Sequence, residues 1–168
     1  MIRFFNTLGK KLETFHTVKK GVATIFTCGP SVYQRAHIGN FRTFLFEDFL
    51  ARYLKYSGYT VKRGMNFTDI EDKAIREASK RNITVNRLTE KNIREFIQEM
   101  KLLNMKFPDY LPRASEHVDA AVALILKLLE RRIAYWYNGN VYYDPLKFPT
   151  FGKLYGLDMS RWPLQKKR

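Results

Sequence analysis

Between residues 22 and 66 the hydrophobic pattern changes period twice. Val22-Ala23-Thr24-Ile25-Phe26-Thr27 is a short apolar and β-branched run, the composition of a buried strand. From Phe41 to Tyr56 the apolar positions fall at Leu45, Phe46, Phe49, Leu50, Tyr53 and Leu54. That spacing marks one face of a helix, and Ser57-Gly58 closes it. Tyr59 to Asn66 then reads as a second strand. Strand, helix and strand within roughly 45 residues form a βαβ unit, with parallel strands and a right-handed crossover. The pattern therefore predicts an α/β fold built on a parallel sheet.

The remaining pattern is mostly helical. Helices are predicted over Ile70–Arg81 and Val85–Leu103, the second with Ile93, Phe96, Ile97, Met100 and Leu103 on one face. Pro108 and Pro112 bracket a break. Ser115 has the chemistry of an N-cap for a helix ending near Arg131. From Ala134 to Tyr143, Asn138-Gly139 sits between aromatic runs and signals a hairpin with a type I′ turn. The stretch after Phe148 reads as irregular, and no internal repeat is present.

The chemistry concentrates where strands end. Cys28-Gly29-Pro30-Ser31-Val32-Tyr33 leaves the first strand, and Ala36-His37-Ile38-Gly39-Asn40 enters the helix. A helix start leaves its first backbone N–H groups unpaired and carries roughly half a positive charge, which suits phosphate. Gly39 allows close backbone approach there, and His37 can donate to phosphate oxygens. At the end of the second strand stands Asn66-Phe67-Thr68-Asp69-Ile70-Glu71-Asp72-Lys73. It has two readings that can hold together: Thr68 or Asp69 caps the next helix, and both face the crevice beside Cys28 as partners for a small substrate. Tyr135, Trp136, Tyr137, Tyr142 and Tyr143 could stack on bases or on one another across the hairpin.

Composition narrows the class. Apolar residues make up 45% and aromatics 15% of 168 residues, which excludes a disordered chain and suits one folded domain. Thirty Lys and Arg against 16 Asp and Glu give a net charge of +14, with basic pairs from Lys10-Lys11 to the terminal Lys166-Lys167-Arg168. Such a field favours a polyanion, RNA or nucleotide phosphates, as partner. A single cysteine forbids an internal disulfide and points to the reducing cytoplasm. Charge interrupts the N-terminus too early for a secretory signal, and the apolar run Ala120–Leu126 is too short to cross a bilayer. One Cys and three His (His16, His37, His117), without paired ligand spacing, do not complete a zinc motif.

Together these residues resemble the N-terminal catalytic half of cysteinyl-tRNA synthetase, a class I aminoacyl-tRNA synthetase. The resemblance runs from Phe5-Asn6-Thr7-Leu8 through the Cys28-Gly29-Pro30 and His37-Ile38-Gly39-Asn40 motifs. It continues through Arg52-Tyr53-Leu54, Asn66–Lys73 and Pro112–His117 to Gly139–Asp144 and Phe151–Leu154, in family order. It implies a Rossmann-like (HUP-type) parallel-sheet nucleotide-binding half-domain over residues 1–110. A connective-insertion-like segment, a helix plus a β-hairpin, would follow over 111–168.

It also implies roles. His37 and Asn40 would be catalytic and, with Gly29, Pro30 and Gly39, would hold ATP and its Mg2+. Cys28, Gly29 and Thr68 would meet the substrate cysteine, Cys28 as one ligand of an active-site zinc incomplete in this chain. Cysteine and ATP would give cysteinyl-adenylate for transfer to tRNA, in the cytoplasm and with no membrane partner.

The departures from the family are large. The remaining zinc ligands, the second half of the nucleotide-binding fold, the Lys-Met-Ser-Lys-Ser-type loop and the anticodon-binding region have no counterpart here. The expectation is a truncated or split ligase that needs a complementary chain or self-association. Two rivals stand beside it: an inactive tRNA- or RNA-binding paralogue, and a cysteine ligase of thiol biosynthesis.

Overall fold

A computed structural model describes residues 2–161, so the terminal Lys166-Lys167-Arg168 lies outside the described residues. In chain order the elements are β1 (Arg3–Asn6), β2 (Lys11–Thr14), β3 (Val22–Thr27), α1 (Ile38–Tyr56) and β4 (Thr60–Met65). They continue with α2 (Asp72–Lys80), α3 (Val85–Leu102), α4 (Val118–Glu130), β5 (Ala134–Tyr137) and β6 (Asn140–Tyr143). Two compact units result: residues 17–118, and residues 1–16 with 119–168.

The 17–118 unit holds the parallel sheet. β3 and β4 pair in parallel from Val22 opposite Thr60 to Thr27 opposite Met65, joined through α1 as the pattern predicts. Beyond Thr27 the pairing resumes as a bridge between Ser31 and Thr68.

The proline-bracketed segment that reads as a break in the sequence extends this sheet. Tyr110 N–H donates to Arg63 C=O, Met65 and Phe67 N–H donate to Tyr110 and Pro112 C=O, and Ala114 N–H donates to Phe67 C=O. This is a parallel ladder with one rung missing, where Pro112 has no N–H to give.

The core of this unit gathers on α3. Phe96 stacks on Phe41 at 5.3 Å and meets Phe44 and Phe67 edge-on at 5.2 and 5.8 Å. Val32, Met65, Ile93, Met100 and Met105 complete the cluster. Of the predicted α1 face only Leu54 is buried, beside Phe41, Phe44 and Asp48, while Leu45, Phe46, Phe49 and Tyr53 are exposed. Apolar residues ring most of α1, so spacing alone does not choose the stripe that meets the sheet. A charge chooses it: buried Asp48 receives Arg52 Nε at 2.8 Å and Lys106 N–H at 3.1 Å, with the buried Arg63 guanidinium 3.5 Å away.

In the other unit, β1 and β2 form a short antiparallel hairpin that the hydrophobic pattern does not signal. β5 and β6 form the predicted hairpin, with Asn138 and Gly139 at φ 48° and 75° as a type I′ turn requires. No helix among the described residues is long and apolar enough to cross a membrane.

Candidate functional site

Both motif loops leave the carboxyl ends of adjacent parallel strands, where ligands of open α/β sheets bind. Cys28, the first residue after β3, is exposed. Gly29 follows at very close range to the second loop. Its N–H donates to Asn66 Oδ1 at 3.2 Å, and a Cβ on Gly29 would lie 1.7 Å from the Asn66 carbonyl oxygen. Pro30 C=O accepts from Thr68 N–H, and Thr68 C=O accepts from Val32 N–H, both at 3.1 Å. Asn66 Nδ2 donates to Thr68 Oγ1 at 3.2 Å. Gly29, Pro30 and Thr68 thus belong to one hydrogen-bonded element with Cys28 at its lip.

Asn66 ties this element together, a role its place in the Asn-x-Thr-Asp motif does not announce. Asp69 proves to be structural. It is buried, and its carboxylate takes both the Ser115 N–H at 2.9 Å and the Ser115 hydroxyl at 2.6 Å. The crevice-facing reading of Asp69 is corrected accordingly, and so is Ser115 as a helix N-cap. Residues 114–117 form a 3-10 turn instead, with Arg113 before it. Nor does Thr68 or Asp69 cap α2, whose N-cap is Glu71.

The helix start also differs from expectation. His37 is the N-cap of α1: its Nδ1 accepts the Gly39 N–H at 3.1 Å, and Asn40 Oδ1 accepts the His37 N–H at 3.1 Å. His37 C=O takes the Asn40 and Phe41 N–H groups at 2.9 and 3.2 Å. The amides at positions 39, 40 and 41 are therefore occupied by the chain itself, in a capping box made of His and Asn. The cap has a chemical consequence. An imidazole that accepts at Nδ1 carries its proton on Nε2, so exposed His37 offers a ring N–H donor.

Helix α3 anchors the loops from behind. Asn92 Nδ2 donates to Val32 C=O at 2.8 Å, and Arg35 Nε donates to Glu99 at 2.6 Å. Ser31 and Glu71 are hydrogen-bonded, as are Arg113 and Glu90. The bond to Glu99 raises the Arg35 pKa, and the bond to Glu90 raises that of Arg113. Cys28 brings one free thiol to this site. Among the described residues no group of three or more His, Cys, Asp or Glu could hold a metal, so a zinc site does not assemble from them.

The family described as tRNA synthetases class I (C) catalytic domain matches residues 14–167. The chain belongs to this family. A cysteine–tRNA ligase of Methanosarcina mazei is 44% identical over 160 residues, which are 95% of this chain and 34% of that protein. Those of Chlamydia pneumoniae and Thermococcus onnurineus are 43% and 41% identical, over 94% and 95% of this chain and 33% of each protein. The chain thus spans about a third of the length of the curated relatives it matches.

Two solved structures share the fold. A Mycobacterium tuberculosis methionyl-tRNA synthetase in complex with methionyl-adenylate superposes with a TM-score of 0.61 and 19% identity, over 68% of this chain and 23% of that one. The ternary agnB2 LeuRS–tRNA–LeuAMS complex of Agrobacterium radiobacter K84 gives 0.62 and 23%, over 70% and 16%. The architecture is the α/β, Rossmann-like fold of class I synthetase catalytic domains.

Proposed function

We propose that this chain is the first part of an ATP-dependent cysteine–tRNA ligase. The observation that carries this reading is the Gly29–Asn66–Thr68 element, which sets the family's two motif loops side by side at the ends of β3 and β4. Gly29 and Thr68 hold the cysteine, with Cys28 beside its thiol. His37 donates from Nε2 to the ATP phosphates, while Asn40 keeps the His37 cap in place. The cysteine carboxylate attacks the α-phosphorus, the α–β bridging oxygen leaves with pyrophosphate, and cysteinyl-adenylate remains for transfer to tRNA. Magnesium accompanies ATP, and any zinc at Cys28 draws its other ligands from outside the described residues. Residues 1–110 are then the first half of the catalytic domain and residues 111–168 open the connective insertion, in a cytoplasmic protein.

The reaction needs more of the fold than these residues supply, whether it comes from the same polypeptide, a complementary one or a second copy. Parallel sheets are covered on both faces. Here Phe26 and Tyr110 flank Gly64 on one face and stay 68% and 60% exposed. Among the described residues β3 pairs along its length with β4 alone, which leaves an edge for a further strand. A second reading, an RNA-binding protein without adenylation, draws its support from the net charge of +14. Cysteine-dependent ATP–pyrophosphate exchange separates the two. Exchange that His37→Ala abolishes supports the ligase, and RNA binding without exchange, alone or with the complementary part supplied, supports the second reading.

A further inference from the structure

The β5–β6 hairpin sets Tyr135 opposite Tyr142 and Tyr137 opposite Asn140, so the three tyrosines share one face. Trp136 and Val141 pair on the other. The Tyr135 and Tyr142 rings stack at 5.8 Å with 25° between their planes, and Tyr137 meets Tyr142 at 6.3 Å and 63°. Cross-strand packing explains why the rings adjoin, as the sequence allows. The Tyr135, Tyr137 and Tyr142 rings stay 47%, 46% and 44% exposed, and Trp136 on the other face is 66% exposed. Only the tyrosine face sets rings against one another across the strands, Tyr135 against Tyr142 and Tyr137 against Tyr142. Exposed cations accompany the hairpin: Arg131 and Arg132 lead into β5 and Lys127 lies on α4, while Lys147 after β6 donates to Arg132 C=O at 2.7 Å and pairs with Asp144 at 3.9 Å. Taken as a whole, the sequence of this unit has more basic than acidic residues.

We propose that the Tyr135–Tyr137–Tyr142 face is a stacking platform for unpaired bases of an RNA strand, with the neighbouring cations holding its phosphates. The chemistry is complementary in both parts. Every base has a π-face that stacks on an exposed aromatic ring, and the strand's phosphates match the charge excess. Tyrosine keeps such a face soluble through its hydroxyl while presenting a flat ring. The choice of RNA rests on the ligase reading above; the platform itself rests on the hairpin.

The experiment is fluorescence anisotropy of a labelled oligouridylate of about twelve nucleotides, a length set by typical single-strand site sizes. A duplex RNA of the same length serves as the comparison. Tyr135→Leu and Tyr142→Leu should each weaken single-strand binding about tenfold. The slope of log affinity against log salt should stay unchanged, because the phosphate contacts remain. Tyr135→Phe should bind like the wild type, Trp136→Leu on the opposite face should change little, and duplex binding should not respond to the tyrosine variants. Circular dichroism confirms that each variant is folded. The proposal is overturned if the intact chain does not bind the oligonucleotide, or if the leucine variants bind as tightly as the wild type. It is overturned equally if Trp136→Leu or duplex binding shows the same loss. Pyrophosphate exchange involves no RNA, so the ligase reading and the platform fail separately.

Discussion

Asn66 holds Gly29 by two independent constraints. Its side-chain oxygen accepts the Gly29 N–H at 3.2 Å, and its backbone carbonyl fills the space a Gly29 side chain would need. The amide's other end donates to the Thr68 hydroxyl, so one side chain sets the spacing of both motif loops. Because Oγ1 is used as an acceptor here, the Thr68 O–H remains a donor for a ligand.

Replacing Asn66 by Ala leaves the half-buried Gly29 N–H and Thr68 Oγ1 without these partners. The expected loss is about 1–3 kcal/mol of stability. Asn66→Asp keeps an acceptor for Gly29 but loses the donor to Thr68, so it should fall between wild type and Ala. Urea unfolding of the three proteins gives the order directly. Equal midpoints for Ala and wild type would show that the bridge contributes nothing.

Gly29→Ala is expected to be worse than either, although it adds one methyl group. A Cβ at 1.7 Å from the Asn66 carbonyl oxygen and 2.7 Å from Met65 Cγ cannot be relieved by rotating a side chain alone. The loops must part, at a cost of about 3 kcal/mol, the upper end of the usual overpacking range. The amide resonances of residues 29–32 and 66–68 should shift together in a two-dimensional NMR spectrum. Shifts confined to residue 29 would mean that the loops tolerate the methyl group.

Phe96 is the ring on which α1, α3 and the end of β4 converge. Its truncation to Ala removes contacts with Phe41, Phe44 and Phe67 at once and should cost about 3–5 kcal/mol. Phe96→Leu, which refills much of the volume, should cost less than half as much. Equal losses on denaturant unfolding would argue against a packing role specific to the ring.

The parts of this fold that the sequence makes legible are those whose signals are local. β3 is a compact apolar run, and Asn138-Gly139 encodes its turn in two residues. Partners distant along the chain stay hidden. The Asp69 carboxylate looks like a ligand group beside Thr68 until Ser115, 46 residues later, is seen to take both its oxygens. The stretch that Pro108 and Pro112 bracket reads as a break, yet the chain there pairs with β4 and its continuation, losing one rung at Pro112 while the Pro112 carbonyl still accepts from Phe67. The buried stripe of α1 is likewise settled by Asp48 and Arg63, a pairing between elements that no single-helix pattern records. At the site the residue types are legible and their occupancy is not. His37 and Asn40 look like free phosphate ligands, whereas each also satisfies a backbone N–H of the helix they begin.

That double duty makes His37 separable by substitution. His37→Ala removes the cap and the ring donor together, so it should lower stability by about 1 kcal/mol, the usual N-cap loss, as well as nucleotide chemistry. His37→Ser restores an acceptor for the helix amides but not the ring N–H. It should unfold at the same denaturant concentration as wild type while remaining as deficient as Ala in ATP–pyrophosphate exchange, measured with the complementary part of the enzyme supplied. Recovery of exchange in the Ser variant would reduce His37 to a helix cap. Loss of exchange at full stability would assign the Nε2 donor to the phosphates.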